Sequence, residues 1–318
     1  MIASPTTPTE AQPDAGVQTQ HISVIIPAYN ESDMIANTIH SVNAMAETVG
    51  LDVEIVVVDD GSIDDTGQKA SGAGARTLRH PHNVGYGRSL KDGIAAARHE
   101  TIVITDADGT YPIDTIPKLL TEYGRGFDMV VGARTGDVYH GPLLKRILRW
   151  ILRFLVEFTA GRRIPDINSG LRVFNRDTLM TYFSHLCDGF SFTTSVTLAY
   201  MMTGRFVTYL NVPYHERVGK TKVNLFRDSL RTMQFIVEAI VYYNPIKIFI
   251  LISFLSALTS IVCLAFGFGF AILGLEILGA VFALAVVVVF CLGLLAVLLK
   301  QIMDRAQPTR DGTWVGSR

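Results

Sequence analysis

The first 135 residues alternate short apolar runs with polar, glycine-bearing breaks. The runs are Ile22 to Ile26, Val53 to Val58, Thr77 to Arg79, Thr101 to Ile104 and Asp128 to Arg134. Each is short, rich in β-branched or apolar residues and bounded by turn formers, which predicts strands. Pro27 is expected to stop the first, with a helix starting near Asp33. A Gly/Ala-rich helical segment follows the second run and a further helix follows Gly87. This alternation predicts an α/β domain with a largely parallel sheet and right-handed crossovers, so the loops of interest open on one edge.

Past residue 140 the period changes. From Pro142 to Phe158, at about 100° per residue, Lys145, Arg146, Arg149 and Arg153 share an arc of about 100°, and nearly everything outside it is apolar. Two readings fit: a helix lying in a membrane interface, or an amphipathic helix packed on a core. A second helix is predicted from about Lys222 to Tyr243, with Arg227, Arg231, Gln234 and Glu238 on one stripe and a break at Asn244-Pro245. Ile246 to Phe270 and Ile277 to Leu299 are then each long enough for a hydrocarbon core that needs about 20 apolar residues. A hydrophobic content of 49% and a mean hydropathy of +0.31 agree with a membrane part.

Lys247 opens the first span; Lys300, Arg305 and Arg310 follow the second, and the connecting turn carries neither Lys nor Arg. The positive-inside rule therefore predicts a two-helix hairpin with both ends, and the catalytic domain, on the cytoplasmic side. No ionisable residue lies mid-span, so the hairpin reads as an anchor rather than a transporter. Residues 1–20 are rich in Pro, Thr, Ala and Gln without an apolar stretch, which predicts a disordered lead-in rather than a secretory signal.

Charge and cysteines narrow the chemistry. A net charge of −1 provides no basic field for nucleic acid. Cys187, Cys263 and Cys291 lack C-x-x-C spacing, which argues against a disulfide framework or a zinc site. At the end of the fourth run stand Asp106 and Asp108, where open α/β sheets bind ligands. Two carboxylates one residue apart suit a divalent cation carrying a diphosphate; the alternative is a solvated strand-to-turn pair. The loops Ala28 to Ser32, Asp59 to Ser62 and Asn83 to Gly87 converge on the same edge. Singly, each is as good a turn as a site.

As an ordered set, P-A-Y-N-E, V-D-D-G-S, N-V-G-Y-G-R and D-A-D resemble the catalytic domain of family 2 glycosyltransferases of the GT-A fold, over roughly residues 22 to 220. Ile164 to Phe174 resembles the D-x-x-S-G-(F/L/Y)-(R/K)-x-(F/Y) segment of polyprenyl-phosphate hexose synthases, the dolichol-phosphate mannose synthase and polyprenyl-phosphate glucosyltransferase type. His215 to Lys222 is similar to their R-x-x-G-(K/E)-(S/T)-K loop. The Q-x-x-R-W segment of polymerising members is missing, which favours a single transfer.

With the patterns above, the resemblance divides the chain into a catalytic domain at 21–218, and hydropathy adds a juxtamembrane amphipathic helix at 219–245, the hairpin at 246–300 and a cytoplasmic tail at 301–318. The resemblance also implies roles by position. Pro27, Tyr29, Glu31, Asp60 or its neighbour Asp59, and Asn83 face the nucleotide sugar. Asp106 and Asp108 hold Mg²⁺ or Mn²⁺ against the diphosphate. Arg134, Arg146, Arg217 and Lys220 meet the acceptor phosphate. Asp166 is either a general base or the residue that orders the Asn168-Ser169-Gly170 loop. Similar enzymes often carry Leu-Gln after the second Asp, where this chain has Gly109-Thr110, so no extra Gln ligand is expected there. His80, His82 and His185 fall in no matched motif and read as structural.

The implied reaction is inverting, metal-dependent transfer of a hexose from a nucleoside diphosphate sugar, of GDP-mannose or UDP-glucose type, to a polyprenyl phosphate in the lipid bilayer. Another lipid acceptor, or a non-catalytic membrane-anchored partner subunit, is the alternative; the complete motifs count against the second. Hexose, nucleotide, polyprenol length and a homo-oligomeric state stay open.

Overall fold

The computed structural model describes residues 21–135, 143–214 and 225–306, except for the side chains of 143–149, 151–152, 225–232, 235 and 303–306. The lead-in 1–20, the loop carrying Arg217 and Lys220, and the tail after 306 lie outside the described residues. The elements in order are β1 His21–Ala28, α1 Ile35–Val49, β2 Asp52–Asp59, α2 Thr66–Gly72, β3 Arg76–Arg79, α3 Tyr86–Ala96, β4 Thr101–Ile104, α4 Ile116–Tyr123 and β5 Met129–Thr135. They continue with α5 Leu143–Ala160, β6 Arg172–Asn175, α6 Arg176–Met180, α7 Phe192–Met202, β7 Val207–Pro213, α8 Leu225–Tyr243, α9 Pro245–Phe270 and α10 Leu273–Ala306.

Among the described residues the strands form one seven-stranded sheet in the order β3-β2-β1-β4-β6-β5-β7. β1 pairs parallel with β2 and β4, β2 with β3, and β5 with β7; β6 alone runs the other way, antiparallel to both β4 and β5. Its reversal brings the N-terminal approach to β6, residues 166–171, to the edge where the parallel strands end. Successive β1 residues bury on opposite faces: Val24 and Ile26 pack with Ile35 and Ile39 of α1, and Ile25 packs with Leu90 and Ile94 of α3. A strand covered on both sides is apolar on both faces, which is why Val24, Ile25 and Ile26 run on without alternation, while the buried Ser23 hydroxyl is satisfied by Glu54.

Pro27 does not stop β1, which continues through Ala28 in register with Asp59. The reason is local. Ile25 O accepts from Thr105 N on the β4 side and Ala28 O accepts from Asp60 N on the β2 side. Pro27 has the parity of Ile25, so its missing N–H faces the β4 side, where the ladder has ended at Ile104. This is also the point where the chain's connections change direction, and a crevice opens there.

α5 packs on the core along one side and leaves aromatic rings exposed on another. Its Val156 joins Leu198 of α7 and Ile236 and Ile240 of α8 in a third apolar cluster. Trp150 and Phe154 on the same helix are exposed and stacked, with ring centroids 6.0 Å apart. Beyond α8, two spans of 26 and 30 residues, Pro245–Phe270 and Leu273–Ile302, are long and apolar enough to cross a membrane. They pack on each other, and Ser260 Oγ donates to Gly279 O at 2.7 Å, a close polar contact typical of paired spans. The hairpin is tied to the α/β domain at one end: Lys247 Nζ donates to Thr159 O at 2.6 Å at the close of α5, and Lys300 Nζ donates to Tyr243 O at the close of α8.

Candidate active site

The β1 and β2 loops are knitted by reciprocal bonds. Asn30 N donates to Ser62 Oγ and Ile63 N donates to Asn30 Oδ1, both at 2.9 Å, which holds Asn30 at φ 50°. Glu31 N donates to Thr66 Oγ1 at 2.9 Å. The two adjacent aspartates separate here. Asp59 turns under the loop, 1% exposed, accepting from Ser62 N at 2.9 Å with Arg79 at 3.5 Å. Asp60 faces the other way and gathers the next loop: it accepts from Val84 N at 3.0 Å and Gly85 N at 2.9 Å, with His80 Nδ1 at 2.7 Å. His80 thereby supports a cavity-lining carboxylate, a role that no local motif signals.

The β4 loop carries the acidic pair. Thr38 Oγ1 donates to Ala107 O at 3.1 Å, fixing the loop from beneath. Asp108 is 7% exposed, and its Oδ1 accepts from Thr110 Oγ1 at 2.7 Å and Thr110 N at 3.2 Å. Asp106 Oδ1 accepts from Tyr86 OH at 2.9 Å. Burial, and after it the charge of Asp106, pushes the Tyr86 hydroxyl well above its ordinary pKa, so it stays a donor.

On the far side, the approach to β6 closes over Asp106. Gly170 N donates to Tyr111 OH at 2.7 Å and Ser169 Oγ donates to Gly132 O at 2.5 Å. The fully buried Arg172 holds the loop from behind, donating to Ile167 O and Ser169 O at 2.8 Å each and to Thr197 Oγ1 at 2.8 Å. Arg134 and Asp166, both sequence candidates, are paired: Nε to Oδ2 is 2.6 Å and Nη2 to Oδ1 is 2.9 Å, with Arg134 also 5.2 Å over the Tyr214 ring. Burial raises the Asp166 carboxyl, but the hydrogen bonds and charge of Arg134, with the Asn168 N–H, outweigh it and hold the pKa below its usual value. Both Asp166 oxygens are engaged, Oδ2 by Arg134 and Oδ1 by Arg134 and Asn168 N.

These loops enclose a cavity of about 760 Å³, in the range of small-molecule sites. Pro27, Tyr29 and Glu31 line it from β1, Asp60 from β2, Asn83 from the loop before α3, and Asp106 and Asp108 from β4. Asp59, Arg134 and Asp166 are not part of the lining. The Arg146 side chain, Arg217 and Lys220 lie outside the described residues. Two wall components escaped the sequence reading: the segment Leu186 to Ser191, and Gln234 of α8. The Asp188-Gly189 turn before α7 was the available signal for the first; Gln234 stood on a polar stripe with nothing to mark it.

The electrostatics of the wall are one-sided. Glu31, Asp60, Asp106, Asp108 and Asp188 contribute, and no Lys or Arg is among the described residues that line it. Carboxylates gathered in this way favour a cation, and an anionic ligand among them is best accommodated with one. Among the described residues no three His, Cys, Asp or Glu side chains form a ready-made metal cage. Asp106 and Asp108, one residue apart on the β4 loop and both lining the cavity, are hard oxygen donors that could hold a divalent ion.

The sequence profile described as Glycosyl transferase family 2 matches residues 23–183. A dolichyl-phosphate hexose transferase of Haloferax volcanii is 28% identical over 206 residues, covering 64% of this chain and 87% of the relative. An undecaprenyl-phosphate 4-deoxy-4-formamido-L-arabinose transferase of an Enterobacter species is 32% identical over 161 residues, 49% of either chain. In fold, the chain is similar to glucosyl-3-phosphoglycerate synthase from Mycobacterium tuberculosis, solved with Mn²⁺, UDP and phosphoglyceric acid. The TM-score is 0.58 at 22% identity, over 69% of this chain and 78% of that one. With that profile spanning the strand-end loops described above and that fold around them, the chain belongs to glycosyl transferase family 2 and is a glycosyltransferase of the GT-A fold.

Proposed function

We propose that the protein transfers one hexose from a nucleoside diphosphate sugar to a polyprenyl phosphate in the membrane. The observation that carries this reading is shared architecture: α8 contributes Gln234 to the acidic cavity and, after a break at Asn244, leads into the apolar span α9. A water-soluble donor and a membrane-held acceptor therefore meet at one wall. The relatives' names, dolichyl-phosphate and undecaprenyl-phosphate transferases, support the acceptor class.

Asp106 and Asp108 would hold a divalent cation, Mg²⁺ or Mn²⁺, which would supply charge neutralisation for the donor diphosphate. Tyr29, Glu31, Asp60 and Asn83 surround the nucleoside. An oxygen of the lipid phosphate forms the new bond to the anomeric carbon as the bond from that carbon to the diphosphate breaks, and the nucleoside diphosphate leaves. A phosphate monoester with a second pKa of about 6 is largely ionised at neutral pH, so no strong base is required. Asp166 accordingly serves to orient Arg134 rather than to take a proton. Basic groups must then attract the incoming anion, and Arg134, Arg146, Arg217 and Lys220 are assigned that task.

Removing a charge-assisted contact worth roughly 1.5–3 kcal/mol by Arg217→Ala should lower catalytic efficiency toward polyprenyl phosphate by about ten- to a hundred-fold. Calorimetry with the nucleotide sugar and metal should change much less. Donor affinity collapsing while acceptor dependence stays normal would move this loop to the diphosphate side and remove its support for a phosphorylated lipid.

The lysines at the hairpin's base support a cytoplasmic catalytic domain, since Lys247 and Lys300 both sit at the end that meets α5 and α8. Protease added outside sealed right-side-out vesicles should leave residues 21–214 intact. Their digestion under those conditions would reverse the orientation.

A further inference from the structure

The wall segment Leu186 to Ser191 is firmly seated, yet it presents an apolar ring. Lys91 Nζ donates to Leu186 O and pairs with Asp188 Oδ1, both at 2.6 Å, and Arg88 N donates to Asp188 O at 2.9 Å. A Cβ on Gly87 would lie 2.3 Å from Cys187 O, so the segment rests directly on the first turn of α3. From this fixed base the Phe190 ring lines the cavity and stays 52% exposed. It stacks on Tyr86 with centroids 5.9 Å apart and planes 5° from parallel. Tyr86 in turn is bonded to Asp106, so the pair of rings stands next to the acidic loop.

The surroundings suggest what such a ring would meet. Asp188 and Ser191, on the same segment, and Gln234 of α8 also line the cavity, so the apolar face shares it with hydrogen-bonding groups. A pyranose has the complementary form: one face of polarised C–H bonds and a rim of hydroxyls. An aromatic face is electron-rich and attracts such positively polarised hydrogens. The Tyr86 hydroxyl binds Asp106 of the β4 loop, which puts the ring pair beside the carboxylates assigned to the diphosphate, where the hexose attached to that diphosphate would lie.

We propose that Phe190, backed by Tyr86, is the platform on which the donor's hexose stacks, and that it sets sugar preference. The inference rests on the donor reading given above. It makes Phe190 a substrate-contacting residue that sees the sugar and not the nucleotide.

The test uses the full-length protein in detergent or vesicles with Mn²⁺, titrated calorimetrically with UDP, GDP, UDP-glucose and GDP-mannose. For whichever nucleotide sugar binds, Phe190→Ala should weaken it by about three- to ten-fold while the matching free diphosphate moves less than about two-fold. Phe190→Trp should retain binding of the sugar. Phe190→Leu, which keeps apolar bulk but loses the flat ring, should resemble Phe190→Ala; full affinity in that variant would overturn stacking. Equal losses for sugar and free diphosphate would place the ring on the nucleotide. Unchanged donor binding with a raised KM for polyprenyl phosphate would place it on the lipid, and either outcome overturns the proposal. A wild-type protein that binds no nucleotide sugar at all would remove the donor reading itself, and this platform with it.

Discussion

Asp108→Ala should bring hexose transfer close to zero, with kcat/KM down by at least about a thousand-fold. The magnitude follows from the wall's charge. The cavity gathers the carboxylates of Glu31, Asp60, Asp106, Asp108 and Asp188, and a donor diphosphate brought among them is stabilised by a divalent cation. Asp108 is itself buried, with Oδ1 anchored by Thr110 and its backbone. Several kcal/mol of transition-state charge stabilisation leave with the carboxylate, and each 1.36 kcal/mol is about ten-fold in rate. Excess chelator should silence the wild type equally, and calorimetry should show donor affinity lost in both cases. The fold should survive, because removing one of several neighbouring carboxylates relieves repulsion. Full wild-type turnover in excess chelator would refute the metal assignment.

A second large effect is expected from a single methyl group. Gly170→Ala would set a Cβ 2.7 Å from both carboxylate oxygens of Asp106, closer than carbon and oxygen can pack. The loop cannot withdraw: Tyr111 OH holds Gly170 N, Ser169 Oγ holds Gly132 O, and Arg172 clamps the carbonyls of Ile167 and Ser169. The Asp106 side chain must rotate instead, giving up the Tyr86 hydroxyl at 2.9 Å. A misplacement of about 1 Å at a reacting centre costs on the order of a hundred-fold, so activity should fall by roughly that much or more. Stability should change little, since the displaced atoms end a flexible side chain. Thermal melting separates the two: a near-native Tm with activity down a hundred-fold is the expected pair of results, and unimpaired activity would show that Asp106 does not need its present position.

What was legible in the sequence was mostly what is local. The β4 run Thr101 to Ile104 and its carboxylate loop stand as read, because strand, turn and acidic pair are encoded within a few residues. The strand-end loops could likewise be named in advance, since each motif carries its own turn chemistry. Asp59 and Asp60 could not be told apart, because which of two neighbours faces the cavity depends on which loop each one binds. Arg134 and Asp166 were both candidates, yet their pairing joins residues 32 apart and is made only by the reversal of β6. That reversal was itself unreadable, as a four-residue strand carries no mark of its direction. α7 escaped for a different reason: Phe192 to Tyr200 are buried without interruption, so no amphipathic stripe exists to reveal a helix. The Phe190 wall depends on a close backbone approach to Gly87, and neither the Gly87 loop nor the Asp188-Gly189 turn shows in sequence that the two meet.

The central claim is that one hexose moves from a nucleoside diphosphate to a lipid phosphate. It is tested most directly by incubating full-length protein in phospholipid vesicles with polyprenyl phosphate, Mn²⁺ or Mg²⁺, and each of a panel of UDP- and GDP-hexoses, then weighing the extracted lipid by mass spectrometry. The predicted result is a lipid heavier than polyprenyl phosphate by a single hexose, formed in step with released nucleoside diphosphate and absent when unphosphorylated polyprenol is supplied instead. Nucleotide release that leaves the lipid unmodified, with the hexose recovered free or on a soluble phosphorylated acceptor, would contradict it.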